Sequence, residues 1–232
     1  MIELAGVERT FQVGDQPVHA LRSLTLGLAA GEYAAVMGPS GSGKTTLLNI
    51  LGLLDRPNAG SYRLAGVETT TLGEEGRARL RRERIGFVFQ SFHLIPRLTA
   101  FENVELPLIL AGVAPRERRP RVSAMLDAVG LAPRAHHRPD QLSGGQRQRV
   151  AIARATVMEP SLILADEPTG NLDQASGVEV IRTLEVLNDR GLTLVVVTHD
   201  PAISGRARRR IRMADGAVVD DQTGGGMSVD KQ

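Results

Sequence analysis

The stretch "GPSGSGKTT", residues 38–46, constrains the fold of this chain more than any other. It follows the apolar segment "EYAAVMG" and precedes "LLNILGLL", whose apolar spacing predicts a helix. Gly38, Gly43, Lys44 and Thr45 match the pattern G-x-x-x-x-G-K-[ST]. Between a buried strand and a helix, such a loop turns backbone N–H groups and a helix N-terminus toward a polyphosphate. We therefore expect an α/β fold built around a phosphate-binding loop.

Lysine usage supports this interpretation of the loop. The chain has 28 Lys and Arg residues, and only Lys44 and Lys231 are lysines. A compact ammonium can reach between the β- and γ-phosphates, where a wide, planar guanidinium would not fit. The Thr45 hydroxyl is predicted to bind Mg²⁺. The residues expected at the nucleotide phosphates are Gly38, Pro39, Ser40, Gly41, Ser42, Gly43, Lys44, Thr45 and Thr46.

Apolar strands alternate with helical segments along the chain. The strands "EYAAVMG", "IGFVFQ", "SLILAD" and "TLVVVTHD" predict a mostly parallel sheet covered on both faces. Ligands of such sheets lie at the carboxyl ends of the strands, so Gln90, Asp166, Glu167 and His199 should meet the phosphate loop there. Alternating segments before residue 37 predict an N-terminal β subdomain, which we expect to be antiparallel. The Leu-, Pro- and Arg-rich stretch at about 91–157 predicts an inserted helical subdomain.

Composition and chain ends narrow the remaining possibilities. The chain has no cysteine, which excludes disulfides, thiol catalysis and zinc–thiolate sites. Its net charge of +2 does not favour a nucleic-acid partner, and none is expected. Neither a secretory signal nor a membrane-spanning segment is expected from the sequence. We predict one domain over 1–220 and a polar, glycine-rich, disordered tail over 221–232.

Two adjacent carboxylates end the strand in "LILADEP". Asp166 is placed to hold Mg²⁺, and Glu167 is the better candidate to orient and deprotonate an attacking water. The alternative is a pair of solvated acids that begin the turn before Pro168.

The stretch "QLSGGQRQRVAIARA" offers a second anion-binding turn at a helix N-terminus. One nucleotide needs one such turn, so the second is interpreted as serving a nucleotide held by another copy of the chain. This predicts a head-to-tail homodimer with composite sites. The alternative is a serine-capped helix whose glycines serve packing.

Taken together, "GPSGSGKT", "LSGGQ", "LILADEP" and "VTHD" closely resemble the ATP-binding-cassette (ABC) ATPases over about residues 2–220. The resemblance implies that ATP bound to the partner is contacted by Ser143, Gly144, Gly145 and Gln146. It implies that Gln90 touches Mg²⁺ and water, and that His199 contacts the γ-phosphate. Asp173 would lie at the dimer interface. Phe11 would stack on adenine, where the family usually has tyrosine, and the alternative for Phe11 is a loop aromatic that covers the core.

Longer stretches, including "NILGLLDRPNAGSYRLAG" and "ADEPTGNLD", resemble the lipoprotein-release, macrolide-export and cell-division branch of that family. This implies a separate integral membrane permease whose coupling helix docks near residues 90–105, with the chain on the cytoplasmic face of the membrane. Two alternatives remain open. One is an ATPase that regulates a cell-wall hydrolase through a permease that transports nothing. The other is a nucleic-acid-associated ABC ATPase, for which "RARRRIR", 206–212, would be the basic patch.

Overall fold

The computed structural model describes residues 1–224, which form two β-sheets and an α-helical subdomain. The first sheet is antiparallel, with the strand order β2-β1-β4-β5. Its strands are β1 (Ile2–Val13), β2 (Gln16–Leu28), β4 (Ala59–Leu64) and β5 (Val67–Glu68). β1 and β2 are longer than the short strands that the sequence suggests, because register shifts between Leu4 and Thr10 let the ladder continue past irregular positions.

The second sheet has the order β10-β9-β3-β8-β7-β6 within the described residues. All its neighbours are parallel except the hairpin of β9 and β10. Its strands are β3 (Tyr33–Met37), β6 (Ile85–Phe89), β7 (Leu162–Asp166), β8 (Thr193–Val197), β9 (Arg209–Ala214) and β10 (Ala217–Thr223). The predicted fold class, a phosphate-loop core with a mostly parallel sheet, an antiparallel N-terminal subdomain and a helical insertion, is confirmed.

Successive residues of the parallel strands enter different cores, as the two-residue period of a strand requires. On β7, Leu162 and Leu164 pack with helix α1 (Lys44–Leu51) and the antiparallel sheet. Ile163 and Ala165 of the same strand pack on the other face, with helices α5 (Gly144–Thr156) and α6 (Gln174–Asp189). The sheet is therefore covered on both sides, which explains why its strands are apolar throughout.

Three helices of the insertion share a hydrophobic cluster of their own. α3 (Ala100–Leu110), α4 (Pro115–Ala128) and α5 contribute, among others, Val104, Leu126 and Val150 to it. Two short 3₁₀ turns, Ala132–Arg134 and Pro139–Gln141, join α4 to α5. The remaining helices are α2 (Glu74–Arg84) and the short α7 (Pro201–Ser204). No helix within residues 1–224 combines the length and apolarity that a membrane crossing needs.

The C-terminal region differs from the expectation of a disordered tail beginning at residue 221. Asp221, Gln222 and Thr223 belong to β10, where Asp221 accepts hydrogen bonds from Arg209 at 2.7 and 2.6 Å. The reason is non-local, since the strand is held by pairing with β9 rather than by its own apolar pattern. Residues 225–232 of that predicted tail lie outside the described part.

The arginine run 206–212 is not a free basic patch along its whole length. Arg206 pairs with Glu185 at 2.6 Å, and Arg208 with Asp189 at 3.3 Å. Arg209 pairs with both Glu32 and Asp221. Three of its arginines are therefore already matched by carboxylates of neighbouring elements, which removes charge that a phosphate backbone would need.

Candidate active site

The register of the parallel sheet places the ends of four strands side by side. Val36 of β3 lies opposite Val197 of β8, Val197 opposite Asp166 of β7, and Asp166 opposite Phe89 of β6. Each strand's next residues leave at the same rim. The phosphate loop, defined here as Gly38–Thr46, therefore shares this rim with Gln90, Glu167 and His199, as the topology of a parallel sheet predicts.

The phosphate loop depends on glycine where its backbone turns. Gly41 and Gly43 have φ values of 79° and 97°, in the left-handed region that favours glycine. At Gly43 a Cβ atom would come 2.4 Å from the Ala20 carbonyl oxygen of β2. Helix α1 starts at the next residue, so its free N–H groups face the loop. This arrangement fits a polyphosphate.

The Lys44 ammonium is anchored within the loop. It donates hydrogen bonds to the carbonyl oxygens of Gly38 and Pro39, both at 2.8 Å, and lies 3.4 Å from the Ser42 hydroxyl. Ser42 is only 2% exposed. Backbone carbonyls of the loop thus hold the ammonium of Lys44 at the phosphate loop itself.

Glu167 is held in an unusual backbone conformation. Its φ is 44°, which is uncommon for a residue other than glycine, and its N–H donates to the Val197 carbonyl at 2.9 Å. Backbone strain of this kind costs about 1–3 kcal/mol and persists where the surrounding structure imposes it. The strain turns the Glu167 side chain away from the course of β7, toward the end of β8.

The Glu167 carboxylate has two partners there. His199 Nδ1 lies 2.8 Å from Glu167 Oε1, and the buried Thr198 hydroxyl donates to Oε2 at 3.3 Å. The hydrogen bond to Glu167 and its negative charge raise the pKa of His199 above its usual value. The contact is strongest with a protonated His199, so it weakens as the pH rises through the raised pKa. Thr198 was missed in the sequence, although it stands beside His199 in "VTHD".

Asp166 is a partly buried carboxylate next to a second one. Burial and the charge of Glu167 raise the pKa of Asp166, whereas Lys44 opposes the rise. Two adjacent carboxylates with a single ammonium at hand make a site that an additional cation would stabilise. Carboxylate, hydroxyl and amide oxygens are ligands that Mg²⁺ accepts, and Asp166, Thr45 and Gln90 supply them. The residues present therefore fit Mg²⁺.

Gln90 is linked to a residue that the sequence reasoning missed. Its side chain donates to Asn171 Oδ1 at 3.1 Å, and the Asn171 amide donates to the Gln90 carbonyl at 3.2 Å. Gly170 allows this approach, because a Cβ there would lie 2.6 Å from Gln90 Nε2. Asn171 stands in "ADEPTGNLD", the stretch that also contains Asp173, but nothing in the sequence pointed to Gln90 as its partner.

A buried glutamine of α5 extends this connection. Gln148 is fully buried and donates to the carbonyls of Phe89 at 3.2 Å and Pro168 at 2.7 Å. It thereby ties the helix of the insertion to the residue before Gln90 and to the residue after Glu167. The sequence offered no signal for this role beyond a polar residue on the buried side of a helix.

The turn Ser143–Gln146, called here the signature turn, caps α5. The Ser143 hydroxyl accepts from the Gln146 N–H at 3.2 Å, and the Ser143 N–H donates to Gln146 Oε1 at 3.0 Å. Cβ atoms on Gly144 and Gly145 would lie 3.0 Å from Leu172 and Ser176. The capping and packing of the alternative interpretation are thus present. They do not exclude a ligand, because Ser143 is exposed.

Within the described residues no hydrogen bond joins the signature turn to the phosphate loop. The turn lies instead against the segment that carries Asp173. The Asp173 carboxylate caps α6 by accepting from the Ser176 N–H at 2.9 Å and hydroxyl at 2.7 Å, and these bonds lower the pKa of Asp173. One chain therefore presents two groups of predicted site residues, one around the phosphate loop and one around the signature turn.

Phe11 lies on the hairpin of β1 and β2, opposite Val18. It is 37% exposed, so its ring does not simply cover the core. The same hairpin contacts the phosphate loop, since the Ala20 carbonyl oxygen of β2 is the atom nearest to a Cβ atom placed on Gly43. An aromatic face is thus available on an element that touches the loop.

Known proteins share the sequence and the fold of this chain. The family model described as ABC transporter matches residues 21–170. The macrolide export ATP-binding/permease protein MacB of Rhodopseudomonas palustris (strain HaA2) is 53% identical over 221 residues, which cover 95% of this chain and 34% of that protein. The protein of the same name from Bdellovibrio bacteriovorus is 49% identical over 96% of this chain and 34% of its own length. This chain thus spans about a third of the length of these relatives.

Two solved structures share the whole fold. A dimeric structure of a post-hydrolysis state of the ATP-binding cassette MJ0796, bound to ADP and Pi, has a TM-score of 0.89 and 44% identity. A second dimeric structure of MJ0796, described as a bacterial ABC transporter cassette, has a TM-score of 0.89 and 45% identity. Each alignment covers 98% of this chain and 100% of the other.

Proposed function

Since this chain belongs to the ABC transporter family and is an ATP-binding-cassette ATPase, we propose that it powers a membrane permease through ATP-driven closure of a head-to-tail dimer. The observation that supports the proposal is that, within the described residues, no hydrogen bond joins the signature turn to the phosphate loop of the same chain. The rim holds the phosphate loop, Asp166, Glu167 and His199, whereas the signature turn lies beside Asp173.

Each residue of the rim has a task that its surroundings support. Lys44 and the phosphate loop bind the β- and γ-phosphates, and Phe11 stacks on adenine. Thr45, Asp166 and Gln90 would hold Mg²⁺, which would neutralise phosphate charge. His199 contacts the γ-phosphate and, through its 2.8 Å contact, keeps the Glu167 carboxylate in place.

Hydrolysis then needs a base that takes a proton from the attacking water. Glu167 removes a proton from a water whose oxygen attacks the γ-phosphorus, and the bond from that phosphorus to the bridging oxygen of ADP breaks. The positive φ of Glu167 supports this role, because strained residues are concentrated at functional sites.

The second group of residues acts in the partner's site. Ser143, Gly144, Gly145 and Gln146 would contact the γ-phosphate of ATP bound to the other copy, with Asp173 at the interface. The γ-phosphate then joins the two copies, and its loss releases them. The MJ0796 cassette, of the same fold, is dimeric in both structures described above.

Ser143→Asp tests the composite site. Asp caps a helix as well as Ser does, so α5 should stay intact while a carboxylate opposes the partner's γ-phosphate. On a Glu167→Gln background with Mg-ATP, we expect sedimentation to show a dimer for the parent and monomers for Ser143→Asp. ATP affinity of the monomer should be unchanged.

Ser143→Asn is the matched control, because asparagine has the size of aspartate and also caps helices but carries no charge. It should dimerise with ATP. A Ser143→Asp variant that dimerises as readily as this control would show that the signature turn does not face a phosphate.

The permease is proposed to dock on a groove of about 590 Å³ between α2, β6 and α3. Its apolar lining includes Phe87, Leu106 and Leu110. Leu54 and Leu110 also line the groove and are 50% and 70% exposed, so together with these residues they form an apolar patch of the kind that marks protein interfaces. The groove begins beside Phe89, so a segment seated there would sense movement of Gln90. This would place the chain at the cytoplasmic face of the membrane.

Leu110→Glu should abolish recovery of the membrane protein that co-purifies with the parent chain, because a charge would be buried in the groove. Val186→Glu is the control, since Val186 is 50% exposed on α6 outside the groove. Recovery is measured by affinity purification from detergent extracts. Equal recovery with both variants would place the permease on another surface.

A further inference from the structure

Arg9 lies directly against the aromatic ring assigned to adenine. Its guanidinium carbon is 4.4 Å from the centroid of the Phe11 ring. A guanidinium at this distance over a ring face is attracted by the ring quadrupole. One face of Phe11 is therefore covered by a cation, while the residue remains 37% exposed.

Arg9 is itself held by the segment that leaves the phosphate-loop helix. Arg9 Nε donates to Asp55 Oδ2 at 2.8 Å, and the side chains of this pair are only 21% and 25% exposed. Three residues further on, Asn58 Oδ1 accepts from the backbone N–H of Thr10 at 2.7 Å. The segment 55–58, which follows α1, thus holds both the Arg9 side chain and the backbone of Thr10, the residue before Phe11.

We propose that Arg9 is a positioning residue for the nucleotide base, acting through the Phe11 ring. The proposal rests on the proposed function, in particular on stacking of adenine on Phe11. A phenylalanine ring has no hydroxyl by which a hydrogen bond could orient it. Arg9, anchored by Asp55, supplies that orientation and leaves the second ring face for the base.

The arrangement also links the two halves of the nucleotide site. Helix α1 carries Lys44 at its start, and the segment after its end carries Asp55. Asp55 holds Arg9, and Arg9 lies on Phe11. The position of the ring is thereby tied to the segment that follows the phosphate-loop helix, so the base and the phosphates are held in one frame.

Arg9→Met tests the proposal, because it keeps an unbranched stem and removes the cation. Calorimetric titration with ATP in EDTA should show an affinity about two- to fivefold lower, as expected for a partly exposed cation–π contact. Inorganic tripolyphosphate, competed against ATP, should bind as it does to the parent. Arg9→Lys, which keeps a cation, should restore most of the affinity.

The same substitution in a Phe11→Ala background should have no further effect, since the ring through which Arg9 acts is gone. Arg63→Met is the matched control, because Arg63 of β4 pairs with Glu68 of β5 at 3.6 Å and has no such role. Equal loss with and without Phe11, or an equal loss of tripolyphosphate binding, would assign Arg9 to the fold alone.

A different failure would overturn the base assignment. If Phe11→Ala binds ATP like the parent, adenine does not stack on Phe11, and the role of Arg9 falls with it. That result would leave the assignment of the phosphate loop intact, because the Lys44→Ala variant tests that assignment separately.

Discussion

Glu167→Gln is expected to lower the rate of ATP hydrolysis by about 10²- to 10⁴-fold, the contribution typical of a general base. Glutamine keeps the shape of the side chain and can still accept from the Thr198 hydroxyl, which donates to Glu167 at 3.3 Å. It cannot take a proton from water. ATP binding should therefore persist, and with Mg-ATP the variant should accumulate as a dimer.

The measurements are phosphate release and sedimentation in the presence of Mg-ATP. Glu179→Gln is the matched control, because Glu179 is an exposed carboxylate of α6 paired with Arg149. It should hydrolyse ATP at the parent rate. Hydrolysis at that rate by Glu167→Gln as well would show that another group is the base.

Lys44→Ala is expected to weaken ATP binding about 10- to 100-fold, the cost of losing a charge-assisted contact with phosphate. The variant also removes the hydrogen bonds to the Gly38 and Pro39 carbonyls, both 2.8 Å, that anchor the side chain in the loop. Hydrolysis and ATP-driven dimerisation should be lost with it. Affinity is measured by calorimetry.

Lys44→Arg separates charge from shape. A guanidinium keeps the charge but is too wide for the loop, so this variant should also bind ATP poorly. Thermal unfolding of both variants should stay close to that of the parent, since Lys44 is not part of the hydrophobic cores. If Lys44→Ala bound ATP with the affinity of the parent, the phosphate loop would not be part of the nucleotide site.

The assembly of the rim could be predicted because it follows from local patterns. Apolar strands ending in glycine or acids, with helices between them, leave a parallel sheet as the arrangement that buries both faces. The observed register then brings Val36, Val197, Asp166 and Phe89 into line. The capping box at the start of α3 is also a local feature, because Thr99 and Glu102 stand three positions apart in the sequence.

Contacts between distant segments could not be predicted. The pairing of Gln90 with Asn171, 81 residues apart, has no signature in either stretch. The two interpretations of the signature turn also could not be separated, because the same Ser and Gly residues serve a cap, a close packing contact and an anion. The extension of β10 to Thr223 depends on its pairing with β9, which composition does not reveal.

The sequence by itself determined the phosphate loop, its lysine, the two carboxylates and the alternation of strands and helices along the chain, because glycine conformation and side-chain periodicity act over a few residues. Only the tertiary structure decided that Thr198 and His199 hold the Glu167 carboxylate, that Gln148 ties the insertion to the rim, and that Arg9 lies on Phe11. The first two contacts join residues from different elements. Arg9 and Phe11 both belong to β1, but Arg9 is held over the ring by Asp55, which another segment supplies.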